Sequence, residues 1–424
     1  MHILFLTHYF PPEVNAPASR TFENTKRWVD AGHKVTVLTC APNHPRGVLY
    51  PGYKNRLFQW DTLEGIRILR VFTFLSPNAG FARRILNYLS YMLSATLLST
   101  LVAEVDIVVS TSPQFFCGMA GLWVSLLKKK PWVLEIRDLW PESIMAVKQV
   151  VNPILISFLE GLTTFLYKSA DHIISVTHSF TQHIAQRGIP GERISVLTNG
   201  VDLAHFQPVT KEDYIRRGNG HTGLADKFVV SYIGTHGMAH GLETVLLAAE
   251  ILRSNDHILF LLVGDGAERE NLLNKRNKAG LENVLMLPQQ PRENVPGFLA
   301  LSDACIVLLK KKDIFETVIP SKIFEAMGME RPVILGVAGE SKEIIEAADC
   351  GICIEPENPR QLADAVLKLF NDPGVAARMG RNGRRRVIAA YNRETLAGIY
   401  LGILDRVSKV QDKAPEKACP SLSV

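Results

Sequence analysis

Short apolar runs rich in β-branched residues alternate with helix-patterned segments along almost the whole chain, and that alternation restricts the fold more than any other feature. Runs at His2–Thr7, Lys34–Cys40, Ile68–Phe74, Asp106–Thr111, Trp132–Ile136, His172–Val176 and Ile194–Leu197 read as buried strands. Helices fit between most of them, over Pro17–Ala31 (closed by Gly32), Phe81–Ala103, Phe116–Lys128, Pro153–Lys168 and Ser179–Arg187. A strand that returns through a helix must pair in parallel, so the pattern predicts parallel sheets with right-handed crossovers.

The pattern restarts at Phe228–Gly234. It continues through Ile258–Val263, Val284–Leu287, Ala304–Leu309, Val333–Leu335 and Gly351–Ile354. Asn358-Pro359 has the form of an N-cap followed by an N1 proline. Residues 199–226, with Pro208 and several glycines, read as the hinge between two halves. Residues 376–410 read mainly as helix, with a break expected near Gly380 and Gly383, and 411–424 read as disordered. Two doubly wound halves predict a ligand site in the cleft between them, at strand carboxyl ends.

Charge separates along the chain. Residues 1–208 hold 19 Lys and Arg against 14 Asp and Glu, which is the whole net charge of +5. That is too little for a nucleic-acid binder and favours an anionic partner or membrane surface on one side. Residues 85–103 are uncharged, preceded by Arg83 and Arg84, and read as a buried, membrane-docking or spanning helix. Met1–Thr7 lacks the basic segment of a signal peptide and reads as a first strand. The six cysteines have no framework spacing, and Cys350-x-x-Cys353 falls in a predicted strand without a second pair, so neither disulfide nor zinc chemistry is expected.

Four loops carry candidate chemistry. Tyr9–Arg20 follows the first strand, and small residues around Asn15, Ala16 and Ala18 would let backbone N–H groups approach an anion at the helix start. Glu135–Glu142 gathers three carboxylates, Arg137 and Trp140 at a strand end. There Arg137 and Asp138 either meet a ligand or form a structural ion pair. Gly234-Thr-His-Gly-Met-Ala-His240-Gly and Gly264-Asp-Gly266 are tight strand exits able to cradle phosphate. Pro320–Met327 opens a helix at Ser321, with Lys322 and Glu325 on one face; Lys322 would neutralise a diphosphate and Glu325 would hold ribose hydroxyls. There is no DxD to hold a metal–diphosphate and no HExxH.

Over residues 1–405 the chain resembles GT-B-fold glycosyltransferases of family 4, most of all the bacterial branch that builds O-antigen, capsule and exopolysaccharide. The resemblance rests on Tyr9-Phe-Pro-Pro-Glu13, Asp138-Leu-Trp-Pro-Glu142, Asn199-Gly-Val-Asp202 with Phe206 and Pro208, Gly264-Asp-Gly266, and Pro320–Met327 followed by Arg331-Pro-Val-Ile334. It implies two Rossmann-like α/β domains: an acceptor domain over 1–205 and a nucleotide-sugar domain over 206–391, with a helix at about 392–407 crossing back to the first. It further implies a retaining, metal-independent hexosyltransferase without cofactor. The donor would be a nucleotide-diphosphate sugar (an N-acetylated hexosamine or deoxyhexosamine), and the acceptor a polyprenyl-diphosphate-linked saccharide at the inner face of the cytoplasmic membrane. Donor contacts fall on Asn15, Ala16, Gly234, Thr235, His240, Gly264, Ser321, Lys322 and Glu325; catalytic roles fall on Arg137, Asp138 and Glu316. The sequence departs from the family at Thr317, where a first carboxylate is usual and Glu316 stands beside it, and around Thr235, His236 and His240, where Arg and Lys are usual. A UDP-N-acetylglucosamine 2-epimerase on the same fold and a catalytically silent scaffold are the alternatives.

Overall fold

The computed structural model describes residues 1–13, 15–44, 46–76, 81–112, 114–142, 152–217 and 222–411. The chain divides into two compact units: residues 1–197 with 394 onward, and 198–393, apart from a short segment outside the described residues. Residues 198–205 therefore belong to the second unit, which the sequence division at 205/206 assigns to the first. Val201 and Phe206, both 1% exposed, are part of the second unit's core. The 412–424 stretch lies outside the described residues.

The first unit is built on eight strands: β1 His2–Leu6, β2 Lys34–Cys40, β3 Phe58–Leu63, β4 Ile66–Val71, β5 Ile107–Thr111, β6 Trp132–Ile136, β7 His172–Ser175 and β8 Ile194–Val196. They lie in the order β3-β4-β2-β1-β5-β6-β7-β8, all parallel except the β3–β4 hairpin. Central strands are buried on both faces, which is why they read as mostly apolar runs. The hairpin was not visible in the apolar pattern, because β3 alternates between exposed and half-buried residues. Its turn is Glu64-Gly65, both at positive φ. Arg70 of β4 fixes the hairpin: Nε binds Asp61 Oδ2 at 2.7 Å, and Nη2 donates to Pro11 O at 2.8 Å.

Helix Arg393–Gln411 completes this unit's core. Tyr400 is fully buried beside Trp28, and the Trp28 indole donates to Ala397 O at 3.1 Å. No helix among the described residues is long and apolar enough to cross a membrane. The expected 81–103 helix ends at Leu98, followed by a 3-10 turn, Ser99–Leu101.

The second unit has six parallel strands: β9 Phe228–Ile233, β10 Ile258–Val263, β11 Val284–Leu287, β12 Ala304–Leu308, β13 Val333–Gly336 and β14 Gly351–Cys353. Their order is β11-β10-β9-β12-β13-β14, so the winding reverses between β9 and β12. The helix Pro359–Asn371 starts as its sequence predicts, with Asn358 Oδ1 accepting from Gln361 N at 3.1 Å. The break expected at Gly380 and Gly383 does not occur there. Helix Pro373–Ala390 runs through both, and the chain leaves helix at Tyr391-Asn392. These glycines allow close packing instead: a Cβ on Gly380 would lie 2.0 Å from Glu330 O, and one on Gly383 would lie 3.1 Å from Met327.

Candidate active site

The reversal point between β9 and β12 is where a doubly wound sheet leaves a crevice at its carboxyl edge. In the second unit that crevice is lined by Ser231 and Ile233 of β9, Cys305 and Val307 of β12, and Lys322 and Glu325 from helix Lys322–Gly328. The exits of β9 and β10 pack backbone against backbone. A Cβ on Gly264 would sit 1.9 Å from Gly234 O, and one on Gly266 would sit 2.5 Å from His236 O, so neither loop admits a side chain. Gly234 N donates to Val263 O at 2.9 Å and His236 N to Asp265 O at 2.8 Å. Those amides are spent inside the loop, which leaves the side chains a larger share of any anion's charge than the sequence alone suggests.

Lys322 supplies that charge. Its Nζ donates to Tyr232 Oη at 2.8 Å, and the Tyr232 hydroxyl donates on to Thr235 O at 2.8 Å. The ammonium lies over Gly234, where an added Cβ would meet it at 2.8 Å. Burial pulls the Lys322 ammonium down to about 8, against the opposing pull of Glu325. Glu325 is raised by its own burial, opposed by Arg292, Lys322 and His205. His240 is pushed down to about 4 by burial and then by Lys322, with Nδ1 3.3 Å from Gly237 O. His236 is fully buried with neither ring nitrogen hydrogen-bonded, and burial, then Arg269 and Lys322, also bring it to about 4.

The structure thus gathers Gly234, Thr235, His240, Gly264, Lys322 and Glu325 at one edge of one sheet. Ser321 precedes Lys322 at the helix start, its hydroxyl making no capping bond. Glu316 is exposed at the end of the short helix Asp313–Glu316, its carbonyl packed on Gly339. Sequence reasoning missed Tyr232, His205 and Arg292. Tyr232 reads as one more apolar strand residue, His205 falls on an unassigned position of the Asn199–Pro208 motif, and Arg292 lies in a segment without a motif.

In the first unit the strand-end cluster is organised around Glu135, 1% exposed. Arg20 Nε lies 2.9 Å from Glu135 Oε1, and Arg20 Nη2 donates to Leu197 O at 3.1 Å. Burial alone raises the Glu135 carboxyl, but Arg20, Arg137 and Thr111 outweigh it and hold the group below its ordinary value. Arg137 is lowered to about 10, first by burial; Glu135 and Asp138 oppose the shift and Arg20 adds to it. Glu142 pairs with Arg187 and, at 3.0 Å, with His183. Glu135 and Glu142 are therefore committed to ion pairs, and Asp138 stands half-buried beside Arg137.

Asn15 caps helix Ala16–Asp30, its Oδ1 accepting from Ala18 N at 2.9 Å. One amide of the helix start that the sequence offers to an anion, that of Ala18, is thus capped by a side chain. Asn15 and Ala16 belong to the first unit, and the Gly234–Lys322 group belongs to the second. Glu13, buried, accepts from the amides of Asn43 and His44, both at 2.9 Å, and ties the loop after β1 to the loop after β2.

Residues 18–205 match the family described as Glycosyltransferase Family 4, and residues 220–386 match Glycosyl transferases group 1. WcaI of Escherichia coli, provisionally described as a colanic acid biosynthesis glycosyl transferase, is 23% identical over 375 residues, covering 86% of this chain and 91% of its own. CapM of Staphylococcus aureus, a capsular polysaccharide biosynthesis glycosyltransferase, is 26% identical over 64% of this chain and 69% of its own. Among solved structures, a sucrose-phosphate synthase from Thermosynechococcus elongatus superposes with a TM-score of 0.74 at 19% identity, covering 97% of this chain and all of that one. Anabaena HepE in complex with UDP and glucose superposes with a TM-score of 0.72 at 18% identity, over 95% of this chain and 99% of that one. A sheet with a reversal point, glycine-tight strand exits and the half-buried Lys322 and Glu325 on one helix thus coincide with matches over both halves: the chain belongs to the GT-B-fold family 4 glycosyltransferases.

Proposed function

We propose that this glycosyltransferase is a retaining, metal-independent enzyme of cell-surface polysaccharide synthesis. It moves a sugar from a nucleotide-diphosphate donor held by the second unit to a polyprenyl-diphosphate-linked saccharide held by the first, at the inner, anionic face of the cytoplasmic membrane. The observation that carries the reading is the Lys322 ammonium over Gly234, with Glu325 one helical turn on. The ammonium and the remaining loop amides meet the charge that grows on the leaving diphosphate. Glu325 accepts from the ribose hydroxyls. Asp138, with Arg137 beside it, and Glu316 orient acceptor and sugar hydroxyls. In a retaining transfer the leaving phosphate takes the acceptor proton on the same face, so the chain need not supply a strong base. The UDP of the HepE complex and the polysaccharide roles in the names of WcaI and CapM support this reading.

Incubation with a panel of UDP- and other nucleotide-sugars and a polyprenyl-diphosphate saccharide tests it. Transfer of sugar to lipid is expected. Isomerised donor without transfer would make the chain an epimerase, and no turnover with intact nucleotide binding would make it a scaffold.

A further inference from the structure

The helices on one face of the first unit turn their apolar residues outward. Helix Phe81–Leu98 buries Asn87, Tyr91 and Ala95 on successive turns, and faces solvent with Leu93 and Leu97 at 58% and 69% exposure. Helix Phe115–Lys128 packs against it and exposes Trp123 and Leu126; helix Pro153–Ser169 packs on that one and exposes Ile154 and Phe158, at 80% and 62%. The three helices join β4 to β5, β5 to β6 and β6 to β7, all stepping the same way across the sheet, so right-handed crossovers place them on one face. Large apolar side chains exposed together on neighbouring helices mark a surface that associates rather than one that meets only water.

The charges on these helices are mostly basic. The three helices carry Arg83, Arg84, Lys128 and Lys168 against a single acid, Glu160, and Lys129 and Lys130 follow the second helix. The Lys128 ammonium turns inward to Val102 O at 2.6 Å, which leaves Lys129 and Lys130 as the outer bases of that run. Such a face repels a second copy of itself, since an isologous dimer would set like charges together. It complements an anionic lipid surface, where the aliphatic and aromatic groups enter the headgroup–acyl boundary and the bases meet lipid phosphates.

We propose that this three-helix face is where the chain lies on a membrane, inserted to the depth of its apolar side chains rather than held by charge alone. The proposal rests on the reading of the acceptor as lipid-linked and adds the surface that meets the bilayer.

Flotation of the full chain with mixed phosphatidylglycerol–phosphatidylcholine vesicles, against pure phosphatidylcholine, tests it. Binding to the mixed vesicles is expected, with Trp123 fluorescence quenched by brominated acyl chains and that quenching lost in Trp123→Phe. Lys129→Glu with Lys130→Glu should weaken binding by at least roughly fivefold per base. Leu97→Ser with Phe158→Ser should weaken it more than tenfold. Both pairs should retain the thermal shift with UDP, which reports a folded second unit, and the circular dichroism of the parent chain. A folded chain that ignores anionic vesicles at low salt, or that binds them without Trp123 quenching, overturns the proposal. So does a concentration-dependent dimer that the Leu97→Ser/Phe158→Ser pair dissolves while vesicle binding stays unchanged. A chain that binds vesicles but transfers no sugar would count against the catalytic reading and leave this surface standing.

Discussion

Replacing Lys322 by Met should weaken donor binding and at the same time stabilise the empty protein. The ammonium has three N–H donors, and one goes to Tyr232 Oη at 2.8 Å. The other two are available to a diphosphate, and a hydrogen bond to a charged group contributes about 1.5–3 kcal/mol. Loss of that contribution corresponds to roughly a tenfold to hundredfold rise in the Kd of UDP. In the empty protein the balance reverses. Burial holds Lys322 at about 8, below its ordinary 10.5, so the folded state carries the charge at a cost near pH 7. Between those two values the unfolded chain keeps a proton the folded chain has released, and wild-type stability therefore rises with pH across that window. Met removes the cost and strands little, because the Tyr232 hydroxyl still donates to Thr235 O. Calorimetric titration of UDP from pH 7 to pH 9, with melting curves of the empty proteins, checks both halves. Wild-type affinity should fall by about tenfold per pH unit above the Lys322 value, since binding requires the ammonium. The variant should bind weakly and show no such fall, while melting higher than wild type at pH 7. A variant whose Kd stays within twofold of wild type, or that retains the alkaline fall, refutes the placement of Lys322 at the diphosphate.

Three further outcomes are expected. Glu325→Ala should raise the donor Kd by about tenfold or more, through loss of a charge-assisted partner to the ribose; unchanged binding and full turnover would remove Glu325 from the site. Activity should survive EDTA, because the diphosphate charge is met by Lys322; silence restored by magnesium or manganese would show a metal in that place. Gly264→Ala drives a Cβ to 1.9 Å from Gly234 O at a φ of 155°. It should destabilise the fold by about 1–3 kcal/mol or more in urea titration, and a neutral result would mean that the two strand exits do not pack as described.

The parts legible in the sequence share a physical origin. Strands buried on both faces are mostly apolar, so β1, β5 and β6 stand out without any structure. The half-exposed edge strand β3 does not, and its Glu64-Gly65 turn lacks the Asn or Asp that usually announces a two-residue hairpin. Gly380 and Gly383 show how one residue type answers two demands: a glycine that breaks a helix and one that lets another backbone approach look the same in one dimension. Asn15 is a similar case, because a small polar residue at a helix start suits both an anion loop and a cap, and the 2.9 Å bond to Ala18 N shows the cap. Lys322 and Glu325 were legible through their helical spacing. Tyr232, which positions Lys322, was not, since a strand tyrosine carries no sign of what its hydroxyl will meet.

The discontinuity of the first unit has a temporal side. Its sheet is complete once β8 has been made at residue 196, yet the face around Trp28 is covered only when Tyr400 and Leu404 arrive from the helix Arg393–Gln411. The second unit, residues 198–393, leaves the ribosome in between and can finish its own core first. At a synthesis rate of about 5–20 residues per second, the first unit waits on the order of ten seconds or more with that apolar face uncovered. The half of the molecule made first is thus the half that folds last, and the interval is when a chaperone would have its best purchase on the chain.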